Sequence, residues 1–284
     1  LAKPHNRAVR LTPKTPTTAT GAKPEDSSVA ARPALERGEL EALARARPPR
    51  LLRSGPGRET FPWQLASGAR VIVKRYHGRA PREAWRALLG GSPRRSAGAL
   101  EYDNLLALAS LGLPVPRALA RHEEGPLSLV VMEELEHLET LRERLAAHPG
   151  QARGFLEPVF EVVERLHGAG WYHRDLYLDH FLVLPGGAGL ALIDVGRARR
   201  AVAPRLRWFV KDLAALLHSS PASLRGPLTL RFLCRWLDGR GLFEPAVRRR
   251  IARAVLRKER RMAAHRPRGG TSYPSPARGR AACR

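Results

Sequence analysis

The sequence predicts an α+β protein in two parts, a small antiparallel β-rich region followed by a mainly helical one, set between disordered basic termini. Three observations carry that expectation. Short apolar runs divided by Gly and Pro turns fill the stretch from Leu51 to Met132, helical periodicity takes over after Glu133, and both ends are Pro-rich and basic with no apolar period. The expected boundaries are a basic segment over 1–33, a β-rich part with a leading helix over 34–133, a helical part over 134–264, and a tail over 265–284.

Each element has a local reason. Glu36 to Arg47 is a charged segment that Pro48 and Pro49 stop, which reads as a short helix. A turn at Ser54-Gly55-Pro56-Gly57 follows Leu51-Leu52; a strand near Thr60 to Leu65, a turn at Ser67-Gly68 and the run Val71-Ile72-Val73-Lys74 come next, three short antiparallel strands in all. That last run places Lys74 at the end of an apolar strand. A helix is expected at about Ala99 to Leu111, ended by Gly112 and Pro114, and then a strand from Leu127 to Met132. Phe155 to Ala169 carries Phe155, Val159, Val162, Val163 and Leu166 on one face and must stop by Gly168 and Gly170, so it is an amphipathic helix. Phe181 to Leu184 and Leu190 to Ile193 flank the turn Pro185-Gly186-Gly187-Ala188-Gly189 and form a hairpin.

Composition narrows the function classes. With 284 residues, 43% of them apolar, a core is affordable without staples. Cys234 and Cys283 are far apart, which argues against a disulfide framework or a Cys-based metal site and suits a reducing cytosol. The net charge of +24 calls for an acidic partner, and an anionic membrane surface or an acidic substrate qualifies. Arginines scattered from end to end are equally compatible with a merely solvated surface. Nucleic acid is not expected as the primary partner, because no recognition motif accompanies the charge. No apolar run is long enough to span a bilayer and the first residues lack a signal-peptide core, so the expectation is a soluble or peripheral protein of the cytoplasm. A chain that opens on Leu1 leaves the N-terminal boundary open, and the oligomeric state is not legible.

The chemistry gathers around His173-Arg174-Asp175. The tripeptide alone is weak, but it follows the amphipathic helix and leads into the hairpin, with His180 just before the first hairpin strand and Asp194 just after the second. Facing positions of an antiparallel pair lie about 5 Å apart, so His180 and Asp194 can converge at the open end beside Asp175. Phosphoryl transfer needs such a set: a carboxylate to hold magnesium on nucleotide phosphates, a second group near it, and a base to orient the attacking hydroxyl. Asp175 is the candidate base, while Asp194 and His180 are candidate metal and nucleotide residues. Lys74 matches a strand lysine that grips ATP phosphates, and Glu101, on the following helix, is its natural partner; Glu83 is too close in sequence to turn back. Lysine, glutamate, base and metal carboxylate appear in the order that a bilobal protein-kinase-like fold demands, with a β-rich N-lobe and a helical C-lobe.

At this point the residues resemble the lipopolysaccharide core kinases, which phosphorylate heptose or 3-deoxy-D-manno-octulosonic acid. Protein kinases normally have Asn where this chain has His180; the sugar kinases are similar to His-Arg-Asp-x-Tyr-x-x-His-Phe, found here from His173 to Phe181. Further likenesses are Ile193-Asp194 with Arg197, Arg207-Trp208 leading to Lys211-Asp212-Leu213, Ser219-Ser220, and Glu101-Tyr102 ahead of Leu111-Gly112-Leu113-Pro114-Val115. They span Leu51 to Trp236. The resemblance implies an ATP- and magnesium-dependent kinase with a sugar or glycolipid acceptor, peripheral on the cytoplasmic face of the inner membrane. Asp212 follows Asp194 too closely for a peptide-binding platform, which also favours a small acceptor. Arg197, Arg199, Arg200, Arg205 and Arg207 would suit one bearing phosphate or carboxylate, and a solvated loop fits these five equally well. The pattern also departs from the kinase norm. Only Gly55 and Gly57 remain of a phosphate-covering glycine loop, and Pro56 removes a donor, which keeps an inactive scaffold in view alongside a kinase of another small molecule or a protein. Magnesium prefers oxygen, so His180 can instead orient Asp194 or a water, with Asp179 as the alternative donor.

Overall fold

The computed structural model describes residues 35–264 except 56, 79–95, 138, 187–188 and 202–205. The two termini, Pro56, Glu83, the arginine-rich stretch from Arg79, Arg205 and Cys283 therefore lie outside the described residues. The chain divides into two compact units, one holding 35–103 and 117–135, the other 104–116 and 136–264.

The first unit is an antiparallel sheet with a helix on one face. Its strands are β1 (Arg53–Gly55), β2 (Arg58–Gln64), β3 (Arg70–His77), β4 (Ala118–Glu124) and β5 (Leu127–Glu133), in the order β1-β2-β3-β5-β4. Alternation along β3 sends Val71, Val73 and Arg75 to one face and Lys74 and Tyr76 to the other. On the first face Val71 and Val73 pack with Phe61, Leu129 and Val131 against Leu40, Leu43 and Ala44 of helix α1 (Arg37–Arg45). Each large side chain buried there contributes about 1.5–3 kcal/mol.

Two local expectations change. Lys74 is in the middle of its strand, paired with Thr60 and Val130, and not at the end. The strand continues because Arg75, polar by identity, is satisfied in place: its guanidinium donates to the carbonyls of Ala44 (3.0 Å) and Ala46 (2.8 Å) at the end of α1 and to Glu59 (2.6 Å). A cation suits the carbonyl end of a helix. The second change is β4, which no expectation named. Its sequence, Ala-Leu-Ala-Arg-His-Glu-Glu, lacks an apolar period because it is the sheet's edge, where charged side chains face water.

Helix α2 (Ala97–Ser110) follows, its first turns grouped with the sheet and the remainder with the second unit. That unit is mainly helical: α3 (Leu141–Ala147), α4 (Ala152–Gly168), α5 (Leu206–Ser219), α6 (Pro227–Asp238) and α7 (Pro245–Ala263). The short strands β6 (Glu139–Thr140), β8 (Phe181–Val183) and β9 (Leu190–Leu192) form one small sheet, while β7 (Trp171–Tyr172) pairs with β10 (Arg199–Arg200). The expected face of α4 is buried at Phe155, Val159, Val162, Val163 and Leu166, and Gly170 takes φ +76° where the chain leaves the helix. No helix among the described residues is long and apolar enough to cross a membrane.

Candidate active site

In the β-rich unit, Lys74 meets Glu101. The ammonium donates to Glu101 Oε1 at 2.5 Å, and the two side chains are only 7% and 1% exposed. Gly98 makes this approach feasible: a Cβ there would lie 3.0 Å from the backbone of Leu129, so glycine lets the start of α2 settle against β5, where its N–H donates to Ser128 Oγ. Tyr76, two positions from Lys74 and on the same face of β3, donates its hydroxyl to Glu101 Oε2. Burial and then the charge of Glu101 hold the phenol well above its ordinary pKa, so it stays a donor. Tyr76 went unnoticed in the sequence, although its alternation with Lys74 was the available signal. The glycine turn joins β1 to β2; Gly57 has φ +73°, and a Cβ there would meet His77 O at 3.0 Å.

In the helical unit the chemistry is organised around a buried aspartate. Asp212 of α5 is fully buried and accepts the backbone N–H groups of His173 and Arg174, both at 2.7 Å. Arg174 needs that restraint, since its φ of +75° is left-handed, a conformation that costs a non-glycine residue about 1–2 kcal/mol. The third partner of Asp212 is His167 Nε2, at 3.2 Å. The Trp236 indole can only donate, and it donates to His167 Nδ1 at 3.0 Å, so the imidazole proton is on Nε2 and points to Asp212. Trp208, also on α5, stacks with Tyr172 at 5.3 Å and has Arg174 over its ring at 4.9 Å.

The loop so held presents Asp175. Its Oδ1 accepts from Lys211 at 3.1 Å and its Oδ2 pairs with Arg197 at 2.7 Å. The two cations differ in freedom: Lys211 is 18% exposed and also donates to Arg174 O, whereas Arg197 is 57% exposed. Burial lowers the Lys211 pKa and the neighbouring Asp175 opposes that fall.

The hairpin closes as expected. Phe181 faces Leu192, the N–H of Ile193 donates to His180 O at 2.9 Å, and His180 Nε2 stands 3.7 Å from Asp194 Oδ2. His180 Nδ1 is 2.7 Å from the carbonyl of Asp175, which can only accept, so this nitrogen carries a proton. The histidine therefore ties the Asp175 loop to the hairpin and turns its other nitrogen toward Asp194. Asp194 adopts φ +58°, a left-handed conformation that aspartate tolerates. Asn104 fixes the turn beyond it by donating to the carbonyls of Val195 (2.8 Å) and Ala198 (3.1 Å). His173 Nε2 donates to Ile193 O at 3.1 Å, and burial lowers the pKa of that ring.

The remaining sequence candidates separate. Asp179 pairs with Arg142 at 3.2 Å, Arg199 donates to the carbonyls of Gly196 and Ala198, and Arg207 lies over Trp208. Among the described residues no group of three or more His, Cys, Asp or Glu could hold a metal unaided. Asp194 does fit the manner in which magnesium is usually held, by one or two carboxylates plus substrate phosphates and waters.

Known proteins resemble this chain across the same stretch. The family model described as "Lipopolysaccharide kinase (Kdo/WaaP) family" matches residues 46–231, which include Lys74, Glu101, Asp175, His180, Asp194 and Asp212. The lipopolysaccharide core heptose(I) kinase WaaP of Pseudomonas aeruginosa is 32% identical over 228 residues, 74% of this chain and 81% of that protein. The 3-deoxy-D-manno-octulosonic acid kinase of Xanthomonas axonopodis pv. citri is 35% identical over 130 residues, 44% of this chain and half of that protein. The heptose(I) kinase WaaP of Escherichia coli K12 is 29% identical over 181 residues, 57% of this chain and 68% of that protein.

Proposed function

The chain belongs to the lipopolysaccharide kinase (Kdo/WaaP) family, and from that premise we propose that it transfers the γ-phosphoryl group of ATP to a sugar hydroxyl of a lipopolysaccharide core or related glycolipid. The observation that carries this reading is the state of Asp175. One of its oxygens is anchored by Lys211, while the other faces a solvent-exposed arginine that an acceptor can displace.

In this reading the acceptor hydroxyl takes the place of Arg197 on Asp175 Oδ2 and is aimed at the γ-phosphorus. The new O–P bond forms as the bond to the β-phosphate oxygen breaks; the hydroxyl proton passes to Asp175 and ADP leaves. Lys211 keeps the carboxylate in one orientation throughout. Arg197, once displaced, pairs with a carboxylate or phosphate on the acceptor, so acidic sugars are preferred. Lys74, held straight by Glu101 and Tyr76, neutralises nucleotide phosphates. Asp194 would hold magnesium, which would supply charge neutralisation to the nucleotide, and His180 ties Asp194 to the Asp175 loop. The enzyme works at the cytoplasmic face of the inner membrane, where its acceptor is presented.

Incubation with γ-labelled ATP, magnesium and a membrane glycolipid extract tests the proposal. Label is expected in the glycolipid fraction and to be lost with Asp175→Asn. Label in added protein and none in glycolipid overturns the acceptor class. No gain in thermal stability with millimolar MgATP would favour an inactive scaffold, since ligand at a hundred times its Kd adds about 2.7 kcal/mol.

A further inference from the structure

The outer face of α7 gathers six exposed arginines on one helix. Several exposed arginines elsewhere are each matched with an acid: Arg45 with Glu124, Arg70 with Glu134, Arg117 with Glu133 and Arg235 with Glu157. On α7, Arg249, Arg250, Arg253, Arg257, Arg260 and Arg261 recur at helical spacing on one exposed face. Among the described residues none of these six has a hydrogen-bonded or ion-paired acid. The acids near the helix are already engaged. Glu259 is buried on the opposite face beside His218 and Arg225, Asp238 pairs with Arg248, and Glu244 caps the helix by accepting the N–H groups of Ala246 and Val247.

Like charges three and four positions apart repel one another along a helix. Here the repulsion runs along the face, offset at its start where the Glu244 carboxylate attracts Arg249 and Arg250, while Ile251 and Val255 hold the helix down from its other side. Such an array is relieved by an external polyanion. The same face carries Leu256, 44% exposed, and the loop leading into the helix carries Phe243, 66% exposed. Cations interspersed with exposed apolar side chains fit the interface of an anionic bilayer, where the former meet headgroups and the latter enter the acyl boundary.

We propose that this arginine face docks the protein onto an anionic lipid surface. The choice of lipid over nucleic acid rests partly on the glycolipid reading above; the array itself does not. The helix also lies beyond residues 46–231, the stretch that the family model matches.

The test is co-sedimentation of the full chain with vesicles of phosphatidylcholine, alone or mixed equally with phosphatidylglycerol. Binding is expected only to the mixed vesicles, falling steeply with added salt. The variant Arg249→Gln/Arg253→Gln/Arg257→Gln/Arg260→Gln should bind roughly a hundredfold more weakly or worse. The matching Arg→Lys variant should keep most of the binding, because the array acts through charge. A control that removes four exposed arginines elsewhere, Arg37→Gln/Arg47→Gln/Arg50→Gln/Arg153→Gln, should bind as the parent does. Glutamine is a good helix former, and an unchanged melting temperature verifies the fold. Equal losses in the control would show that bulk charge, not this face, is responsible and overturn the proposal. So would unaltered binding in the α7 variant, or tight binding to duplex DNA with none to vesicles. The vesicles contain neither sugar acceptor nor ATP, so failure here is separate from failure of the kinase reading; transfer to a water-soluble sugar acid should be the same in parent and α7 variant.

Discussion

Both units hold a lysine against a carboxylate, yet the two pairs are built for different tasks. Lys74 and Glu101 are almost wholly buried, and Tyr76 takes the remaining carboxylate oxygen. Asp175 is also shared by two donors, but one of them, Arg197, is more than half exposed. A buried pair cannot change partners without leaving a charge in a low-dielectric interior, whereas an exposed arginine can leave at little cost. The first arrangement preserves a geometry; the second can pass through a cycle.

Several substitutions would break or sharpen that contrast. The largest effect belongs to Asp175→Asn, which keeps the shape but cannot take a proton: transfer should fall about a thousandfold or more while MgATP still raises the melting temperature. Wild-type turnover would remove Asp175 from the chemistry. Next is Glu101→Ala, which takes the facing carboxylate away from a buried ammonium and should cost about 3–5 kcal/mol in denaturant unfolding. The double variant Lys74→Met/Glu101→Leu should recover most of that stability without recovering activity, dividing the two roles of the pair; a double variant as unstable as the single one would show that the pair's worth is not electrostatic.

Acid should act on the helical unit through His167 and His173. Both rings are buried, and burial holds their pKa values below the ordinary 6.5, against the pull of Asp212 on His167. The unfolded chain therefore binds more protons than the folded one at mildly acidic pH. The stability these neutral rings preserve is complete above pH 6.5 and is lost as pH falls toward their folded values, at up to about 1.4 kcal/mol per pH unit for each ring. His167→Gln should flatten part of that slope, measured by melting temperature against pH; an unchanged slope would exclude His167 as its source. The smallest effect is expected at Arg197→Gln: KM for an acidic sugar should rise about tenfold, in line with one charge-assisted hydrogen bond, and KM for a neutral sugar should not. Equal changes for both would mean that Arg197 merely supports the loop.

How much of this was legible depended on distance along the chain. The hairpin bringing His180 to Asp194 was readable because its two strands are adjacent in sequence and flank a glycine-rich turn. Lys74 and Glu101 could be paired through the order of strand and helix, although the strand was expected to stop where it continues. Arg75 looks like a terminator until the carbonyls at the end of α1 are seen to receive it. Asp212 appeared as part of a resemblance and as a spacing mark after Asp194, without its anchoring role, because its partners are 38 to 45 residues away and two of them are backbone groups that have no sequence signature. Lys211 and Arg197 were visible as basic residues, but nothing in a sequence says that both point at one carboxylate. The charge was hardest to interpret, since composition cannot distinguish an arginine facing a glutamate from one facing solvent.

The line from Trp236 through His167 to Asp212 also has a polarity. An indole can give a hydrogen bond and never take one, a carboxylate can take and never give, and the imidazole between them is left one orientation of its single proton. The loop that carries Asp175 is thus wired to a residue deep in α6, Trp236, through two hydrogen bonds. Reversing any link would turn a lone pair toward the aspartate, and the loop's left-handed arginine would lose the support that keeps Asp175 on station.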